Sequence, residues 1–223
     1  GNETWLILGG GGLFAAFPLA YAILMPALYL PVLLMLLALV FRGVAFEFRH
    51  RASSRLYERI WDAGFAGGST LAAFAQGVIL GGILQGVEVE GRAFAGGAFD
   101  WATPFVALTG LAVVAGYALL GACWLNIKTT GALQGMARRS GRALLIVVLA
   151  FLAAVSAATP FLEQEYARRW FDWPAVALSV AMPLIVAGLG WNIWRAMGPG
   201  AVRDWSAMVW TLGLFLADRK SVV

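Results

Sequence analysis

Five long runs without a charged residue dominate this sequence, and they constrain its fold more than any other feature. They cover residues 4–41, 63–87, 101–127, 143–162 and 173–194. Each run is long enough to cross a bilayer, because a membrane-spanning helix needs about 20 predominantly apolar residues. Only 13% of the residues are charged, whereas soluble domains carry roughly 25%. The sequence therefore predicts an all-α fold, a polytopic transmembrane helical bundle.

The first run is long enough for two helices, and its prolines indicate where they join. Pro26 and Pro31 bracket the segment PALYLP, which suits a tight turn. We predict a helical hairpin of residues 5–25 and 31–47, with a kink at Pro18. With the other four runs this gives six full spans, and the apolar run at 205–217 would be the start of a seventh. Residues 1–217 are expected to form a single transmembrane domain that is truncated at both ends.

The last six residues, 218–223, read DRKSVV. They match the translation of a common sequencing adapter that runs into a stop codon. We expect this tail to be non-native.

Lysine and arginine alternate between the segments that connect the apolar runs. Residues 42–59 hold five, 88–100 hold one, 128–142 hold four, and 163–172 and 195–204 hold two each. Basic segments remain on the cytoplasmic side of membranes. We therefore predict that loops 42–60, 128–142 and 195–204 are cytoplasmic. This orientation accounts for the net charge of +4, and we expect no nucleic-acid partner because no soluble domain remains to bind one.

Glycines interrupt the first two apolar runs. In lipid there is no hydrophobic drive between helices, so small residues allow backbones to approach closely. We interpret six glycines as helix-packing positions, either within the chain or against a partner. A flat cofactor or quinone lying against the glycine surface is the open alternative. The six are Gly9, Gly10, Gly11, Gly12, Gly67 and Gly68.

Charged residues gather at the predicted cytoplasmic ends of the first spans, where charges are costly unless paired. Arg42 and Glu47 are five residues apart, an imperfect intrahelical pair, so one of them could reach another helix or subunit. Asp62 could pair with Arg59 or Arg42. Structural ion pairs with snorkelling arginines and a proton-entry or subunit contact both fit this pattern. The candidates for a proton path or a subunit contact are Asn2, Glu3, Trp5, Arg42, Glu47, Arg49, Trp61 and Asp62.

Residues that hold redox metals are scarce in this sequence. His50 is the single histidine and Cys123 the single cysteine, whereas a bis-histidine haem needs histidines on facing spans. We therefore expect no haem, no metal and no catalytic residue on this chain. There is also no chain of intramembrane Asp or Glu, which a proton-coupled transporter or pump usually needs.

Seven segments follow one another in an order that resembles a known family. They are GNETWL (1–6), GGGGLFAAFPLAYA (9–22), PALYLP (26–31), FRGVAFEFR (41–49), WDAGFAGGS (61–69), GVILGGILQGV (77–87) and GYALLGACWLNIKTTGALQ (116–134). Together they resemble subunit II of the cytochrome bd-type quinol oxidases, and they look closest to the cyanide-insensitive branch. The likeness is dense over residues 1–142 and looser to about residue 217.

The resemblance implies a haem-free subunit II that packs against a haem-bearing subunit I and contributes to a proton path. Subunit I would carry haems b and d and the site that oxidises quinol from the quinone pool, and dioxygen would be reduced to water. Some members of the family hold a structural quinone in subunit II. The implied location is the bacterial inner membrane, as a multi-pass protein in the lipid bilayer. The family's first span and an Asp directly before Gly1 are expected but absent from this sequence.

Two other functions remain open from the residues alone. A secondary transporter of small solutes is the alternative from a different class, and inverted repeats with interrupted helices would support it. The kinked first hairpin is weakly compatible with transport, whereas the lack of internal symmetry is not. A membrane scaffold that only assembles other proteins is the third.

Overall fold

The computed structural model describes residues 4–158, 175–198 and 205–218, which are mostly helical. The helices are α1 (Thr4–Ala16), α2 (Pro18–Ala27), α3 (Tyr29–Arg49), α4 (Arg55–Gln85), α5 (Pro104–Lys128), α6 (Gly131–Ala158), α7 (Ala175–Ala196) and α8 (Ser206–Asp218). In this described part, four helices, α3 to α6, are each long and apolar enough to cross a membrane. The chain is therefore a helical membrane protein, as predicted, and the number of six full spans stays a prediction.

The first predicted span, residues 5–25, is divided into two short helices. α1 ends at Ala16 and α2 begins at Pro18, so the predicted kink is a break. The residue before a proline is disfavoured in the helical conformation because the proline ring crowds its backbone. Phe17 accordingly has φ −135° and ψ 64°, outside the helical region.

The predicted turn at residues 26–31 contains only one residue outside a helix. α2 ends at Ala27, α3 begins at Tyr29, and Leu28 between them has φ −111° and ψ 21°. Pro26 lies inside α2 and Pro31 in the first turn of α3, where a missing N–H is tolerated because it has no partner in the helix. The two helices are therefore separated by a shorter segment than the prolines suggested.

Two of the predicted cytoplasmic loops are mostly helix. α3 continues to Arg49 and α4 begins at Arg55, so only residues 50–54 of the predicted loop 42–60 separate helices. Likewise, only residues 129 and 130 of the predicted loop 128–142 lie outside helices. The prediction assigned these charged segments to loops, but Ala, Leu, Gln and Arg favour helix in water as well. The predicted loop 195–204 begins inside α7, and residues 199–204 lie outside the described part.

A small β-hairpin lies between α4 and α5, in a segment predicted to be a loop. Strand β1 (Val89–Glu90) pairs antiparallel with β2 (Ala93–Phe94), with Val89 opposite Phe94. Gly91 in the connecting turn has φ +64°, a conformation that glycine adopts without steric cost. β2 contacts α2, so the hairpin packs against that helix.

The chain divides into two compact units, which we call unit 1 (Gly1–Val113) and unit 2 (Val114–Val223). The boundary falls inside the continuous helix α5. The single transmembrane domain of residues 1–217 therefore stays a prediction, as does the non-native tail, of which only Asp218 is described.

Glycines join α4 to α5 within unit 1. A Cβ added at Gly77 would lie 2.6 Å from the carbonyl oxygen of Thr109, and one added at Gly81 would overlap the Thr109 hydroxyl. A Cβ at Gly110 would lie 2.5 Å from the ring of Phe74. The buried Thr109 hydroxyl also donates to the carbonyl oxygen of Gly77, at 3.0 Å. The two helix backbones therefore approach as closely as small residues permit.

Unit 2 has its own apolar core. Gly141 of α6 lies against α5, since a Cβ on it would be 3.5 Å from the Cβ of Ala122. The Cys123 thiol lies 3.3 Å from the Thr211 hydroxyl, which joins α5 to α8. The buried core consists of Ala115, Leu119, Cys123, Leu145, Val148, Ile193, Ala196, Met197, Ala207 and Leu214.

Replacing Gly77 by alanine is expected to destabilise the protein. The added methyl would meet the Thr109 carbonyl oxygen at 2.6 Å and the Gly110 Cα at 2.7 Å, and backbone atoms cannot rotate away. Overpacking of this kind costs about 1–3 kcal/mol, which thermal unfolding of the purified full-length protein would detect. Gly43→Ala on α3 is the control, because no described atom lies within 4 Å of its Cβ position. Equal effects of the two substitutions would contradict the close contact.

Candidate functional site

The candidate site is the charged end of unit 1, where α3 ends and α4 begins. Arg49 lies in the last turn of α3, where a cation is favourable near the free carbonyl groups. Ser54 caps α4, because its hydroxyl accepts a hydrogen bond from the Tyr57 backbone N–H at 3.5 Å. The short connection of residues 50–54 turns the chain back. It thereby sets the end of α3 beside the first turns of α4.

Arg49 and Asp62 form the ion pair that joins these two helices. The Arg49 Nε donates to one carboxylate oxygen of Asp62, and Nη2 lies 3.4 Å from the other. A guanidinium that meets a carboxylate through two nitrogens has a defined orientation. The two side chains remain 47% and 51% exposed, so the pair fixes geometry more than it adds stability.

Glu47 forms a second ion pair at the same end. Its carboxylate accepts from Arg51 Nη2 at 2.9 Å, four residues further on. This pair is more exposed, at 63% for Glu47 and 71% for Arg51. Both pairs lie at the boundary where α3 leaves its apolar stretch, and both carboxylates are accessible from solvent.

Aromatic rings of α3 and α4 pack against each other next to the charged end. Phe48 stacks on Trp61, with ring centroids 5.4 Å apart and an angle of 29° between the planes. Phe46 contacts Phe65 of α4 at 6.3 Å and His50 at 5.3 Å. The Phe48–Trp61 and Phe46–Phe65 contacts therefore join α3 to α4 close to the ion pairs.

The predicted site residues fall into three groups. Glu47, Arg49, Trp61 and Asp62 come together at the charged end. Arg42 lies earlier in α3, away from the charged end, and its backbone nitrogen is 3.3 Å from the Cβ position at Gly68. Trp5 is exposed on α1, and Asn2 and Glu3 lie outside the described residues.

The arginine that pairs with Asp62 differs from both predicted partners. The sequence suggested Arg59 or Arg42, because they are close along the chain. The structure pairs Asp62 with Arg49, 13 residues away, since the antiparallel arrangement of α3 and α4 brings these positions together. Glu47 pairs with Arg51, four residues further on, which the sequence reading did not name as a partner.

The predicted packing glycines differ in their surroundings. A Cβ at Gly68 would lie 3.0 Å from the Ala38 carbonyl oxygen, so Gly68 packs against the backbone of α3. By contrast, no described atom lies within 4 Å of the Cβ position at Gly67 or at the α1 glycines Gly9, Gly10, Gly11 and Gly12. Gly77 and Gly81, which are not among these six, admit the backbone of α5, and their four-residue spacing is typical of close helix packing.

The single histidine and the single cysteine of this chain differ in their surroundings. Haem iron in proteins is held by His, Cys, Met or Tyr side chains. His50 is exposed at the end of α3 with its ring against Phe46, and Cys123 is buried beside the Thr211 hydroxyl. Among the described residues, no three His, Cys, Asp or Glu side chains group together as metal ligands.

Four helices long and apolar enough to span a bilayer define a polytopic membrane protein, and unit 1 carries ion pairs and aromatic rings at one end. Residues 1–218 match the family model for cytochrome bd terminal oxidase subunit II. The chain belongs to the cytochrome bd terminal oxidase subunit II family, which confirms the resemblance noted above.

Curated relatives support the same assignment. A probable cytochrome oxidase subunit 2 of Haemophilus influenzae is 34% identical over 160 residues, 69% of this chain and 42% of the relative. The cytochrome bd ubiquinol oxidase subunit 2 of Bacillus subtilis is 31% identical over 169 residues, 75% and 50% respectively. The cytochrome bd-I ubiquinol oxidase subunit 2 of Escherichia coli is 34% identical over 158 residues, 69% and 42%. The match thus spans half or less of each relative's length.

The Arg49–Asp62 pair is expected to contribute little to stability. In a double-mutant cycle of Arg49→Gln and Asp62→Asn, we expect a coupling free energy of at most about 1 kcal/mol, as for other exposed pairs. Unfolding of the full-length protein in mixed micelles measures it, and the Glu47–Arg51 pair provides the comparison. A coupling of several kcal/mol would contradict the exposed geometry.

Proposed function

We propose that this chain is part of a haem-free subunit II of a bacterial membrane quinol oxidase, which oxidises quinol and reduces dioxygen to water. The match of residues 1–218 to the family model carries the proposal. The relatives named as ubiquinol oxidase subunits support it. The role is that of a subunit, and the redox centres and the quinol-oxidising site lie on the partner.

The haems b and d are proposed to bind to the partner subunit I. The exposed position of His50 and the buried position of Cys123 support this division. The family resemblance implies one small molecule on this chain, a structural quinone. The glycines of α1, which have no described atom within 4 Å of their Cβ positions, are compatible with it.

The α1 helix is proposed to contact the partner subunit. None of its residues is buried against the described part of the chain. Its four consecutive glycines are unfavourable in a helix, since each lowers helix stability by about 1 kcal/mol relative to alanine. Close approach of another helix would offset that cost, whereas exposure to lipid alone would not. In this arrangement α1 and α2 together cross the membrane as one broken helix.

The charged end of unit 1 is proposed to face the cytoplasm of the bacterial inner membrane. Arg49, Arg51, Arg55 and Arg59 lie there, and basic residues favour the cytoplasmic side. At the other end of α4, Gln85 accepts a hydrogen bond from the hydroxyl of Thr103, which directly precedes α5. The segment 88–100 beyond α4 holds a single basic residue and three acids.

A proton path is proposed to begin at this cytoplasmic end. Glu3 directly precedes α1 in the sequence, and a carboxylate can accept and release protons at the mouth of such a path. The charged cluster of Glu47, Arg49, Trp61 and Asp62 then holds α3 and α4 in place beside it.

Oxygen consumption by membranes tests the proposed function. Membranes from a strain that lacks the full-length gene should lose the quinol-driven, cyanide-resistant part of oxygen consumption, and the restored gene should return it. Unchanged respiration together with a loss of solute uptake would contradict the oxidase role and favour the transporter. Normal assembly of the partner with no effect on turnover would favour a scaffold.

Replacing Glu3 by glutamine in the full-length protein is expected to slow oxygen consumption severalfold, because the amide cannot carry a proton. Glu58→Gln, in the first turn of α4, is the matched control and should leave turnover unchanged. The measurement is quinol-driven oxygen uptake per mole of haem d, which corrects for assembly. An unchanged rate for Glu3→Gln would exclude Glu3 from the proton path.

A further inference from the structure

The first turns of α4 combine a basic row with an apolar row on one side of the helix. Arg55 and Arg59 are four residues apart, as are Leu56 and Ile60, so each pair forms a row along the helix and the two rows are adjacent. We call these four residues the outer face of α4. All four side chains are exposed, with Leu56 at 66% and Ile60 at 51%. The described part of the chain therefore leaves this face uncovered.

The outer face is directed away from α3. Trp61 and Asp62 contact α3, whereas Arg59, two residues before Trp61, lies on the opposite side of the helix. Asp62 is engaged by an arginine of α3, and no ion pair or hydrogen bond joins Arg55 or Arg59 to another described residue. Both guanidinium groups are therefore accessible to a ligand from outside the chain.

The charged end carries more basic than acidic side chains. Residues 42–62 hold five arginines and three acids. Two of the acids, Glu47 and Asp62, are in ion pairs. The third, Glu58, is close enough to Arg49 for their charges to attract each other. All three acids therefore interact with arginines outside the outer face, which keeps a positive charge of its own.

The outer face lies at the depth of the lipid headgroups. The uncharged part of α4, residues 63–85, is about 35 Å long, which matches a hydrocarbon thickness of roughly 30 Å when the helix is tilted. Along the helix axis, Arg59 then lies about 6 Å and Arg55 about 12 Å beyond that part. The headgroup layer extends about 5–8 Å on each side. Arg59 therefore lies among the headgroups, and the flexible side chain of Arg55 can bend back to them.

Small residues continue this side of α4 toward the hydrocarbon. Ala63, Ala66 and Gly67 follow Arg59 at spacings of four, seven and eight residues, and all three are exposed. No described atom lies within 4 Å of the Cβ position at Gly67. An acyl chain can therefore lie against the backbone of α4 next to Ile60, directly below the Arg59 guanidinium.

We propose that Arg55 and Arg59 bind the phosphate group of an anionic phospholipid, with one acyl chain against Ala63 and Gly67. Guanidinium groups match the geometry of phosphate oxygens, and each basic residue near the surface attracts anionic lipids by about 1 kcal/mol. A cation in the first turn of a helix is unfavourable beside the free N–H groups, and a bound phosphate offsets that cost for Arg55. The inference depends on the membrane-spanning fold and not on the proposed oxidase role.

Native mass spectrometry of the delipidated full-length complex tests this proposal. Phosphatidylglycerol and phosphatidylcholine are added separately. The wild type should bind phosphatidylglycerol more tightly, and Arg59→Gln should weaken that binding about fivefold, the factor for roughly 1 kcal/mol per basic residue at the surface. Arg92→Gln is the matched control, because it removes the same charge from an exposed arginine in the turn of the β-hairpin, beyond the other end of α4.

The acyl chain has a variant of its own. Gly67→Leu should weaken the binding of both lipids severalfold, because the leucine side chain would occupy the space beside Ile60. Gly43→Leu on α3 is its control, since no described atom lies within 4 Å of that Cβ position either. If Arg59→Gln does not assemble, Arg55→Gln tests the same phosphate and should again weaken phosphatidylglycerol binding about fivefold.

Four results would overturn the proposal. The two lipids could bind equally to the wild type, or Arg92→Gln could weaken phosphatidylglycerol binding as much as Arg59→Gln does. Gly67→Leu could leave the binding of both lipids unchanged. Inorganic phosphate could displace the lipid at equal concentration, which would indicate a site for a soluble anion.

Discussion

Helices in a bilayer gain nothing from burying apolar surface against each other, because the lipid is itself apolar. The fold of this chain therefore depends on how closely helix backbones can approach. Gly68 admits the backbone of α3, while Gly77 and Gly81 admit that of α5. These glycines join three successive helices of unit 1 along α4. The orientation of the charged end follows from this packing, since it sets α3 and α4 side by side.

The bilayer also determines where chemistry can occur. The apolar segments of α3, α4 and α5 carry no charged side chain over residues 29–41, 63–85 and 104–127. The ion pairs of the described residues, Arg49–Asp62 and Glu47–Arg51, lie at the end of α3. In the part of the chain that the structure describes, no three His, Cys, Asp or Glu side chains group together.

The sequence predicted the class of fold because a run of about 20 residues without a charge is enough to indicate a membrane-spanning helix. It did not predict helix ends, since residues 131–142 form helix in spite of their charge. It also paired Asp62 with residues nearby in the chain, whereas the partner Arg49 is adjacent only after α3 and α4 pack. Gly67 and Gly68 looked equivalent, yet only Gly68 faces α3. Which face of a helix meets a neighbour depends on tertiary contacts, and neighbouring glycines carry no information about it.

The most direct test of the oxidase role is the reduced-minus-oxidised visible spectrum of the full-length protein, purified by a tag with and without coexpression of its chromosomal neighbour. The account predicts haem b and haem d bands when the neighbour copurifies, and no haem absorbance from this chain alone. Haem bands from this chain alone would contradict its haem-free role. A stable chain that never copurifies a haem-bearing partner would contradict its role as an oxidase subunit.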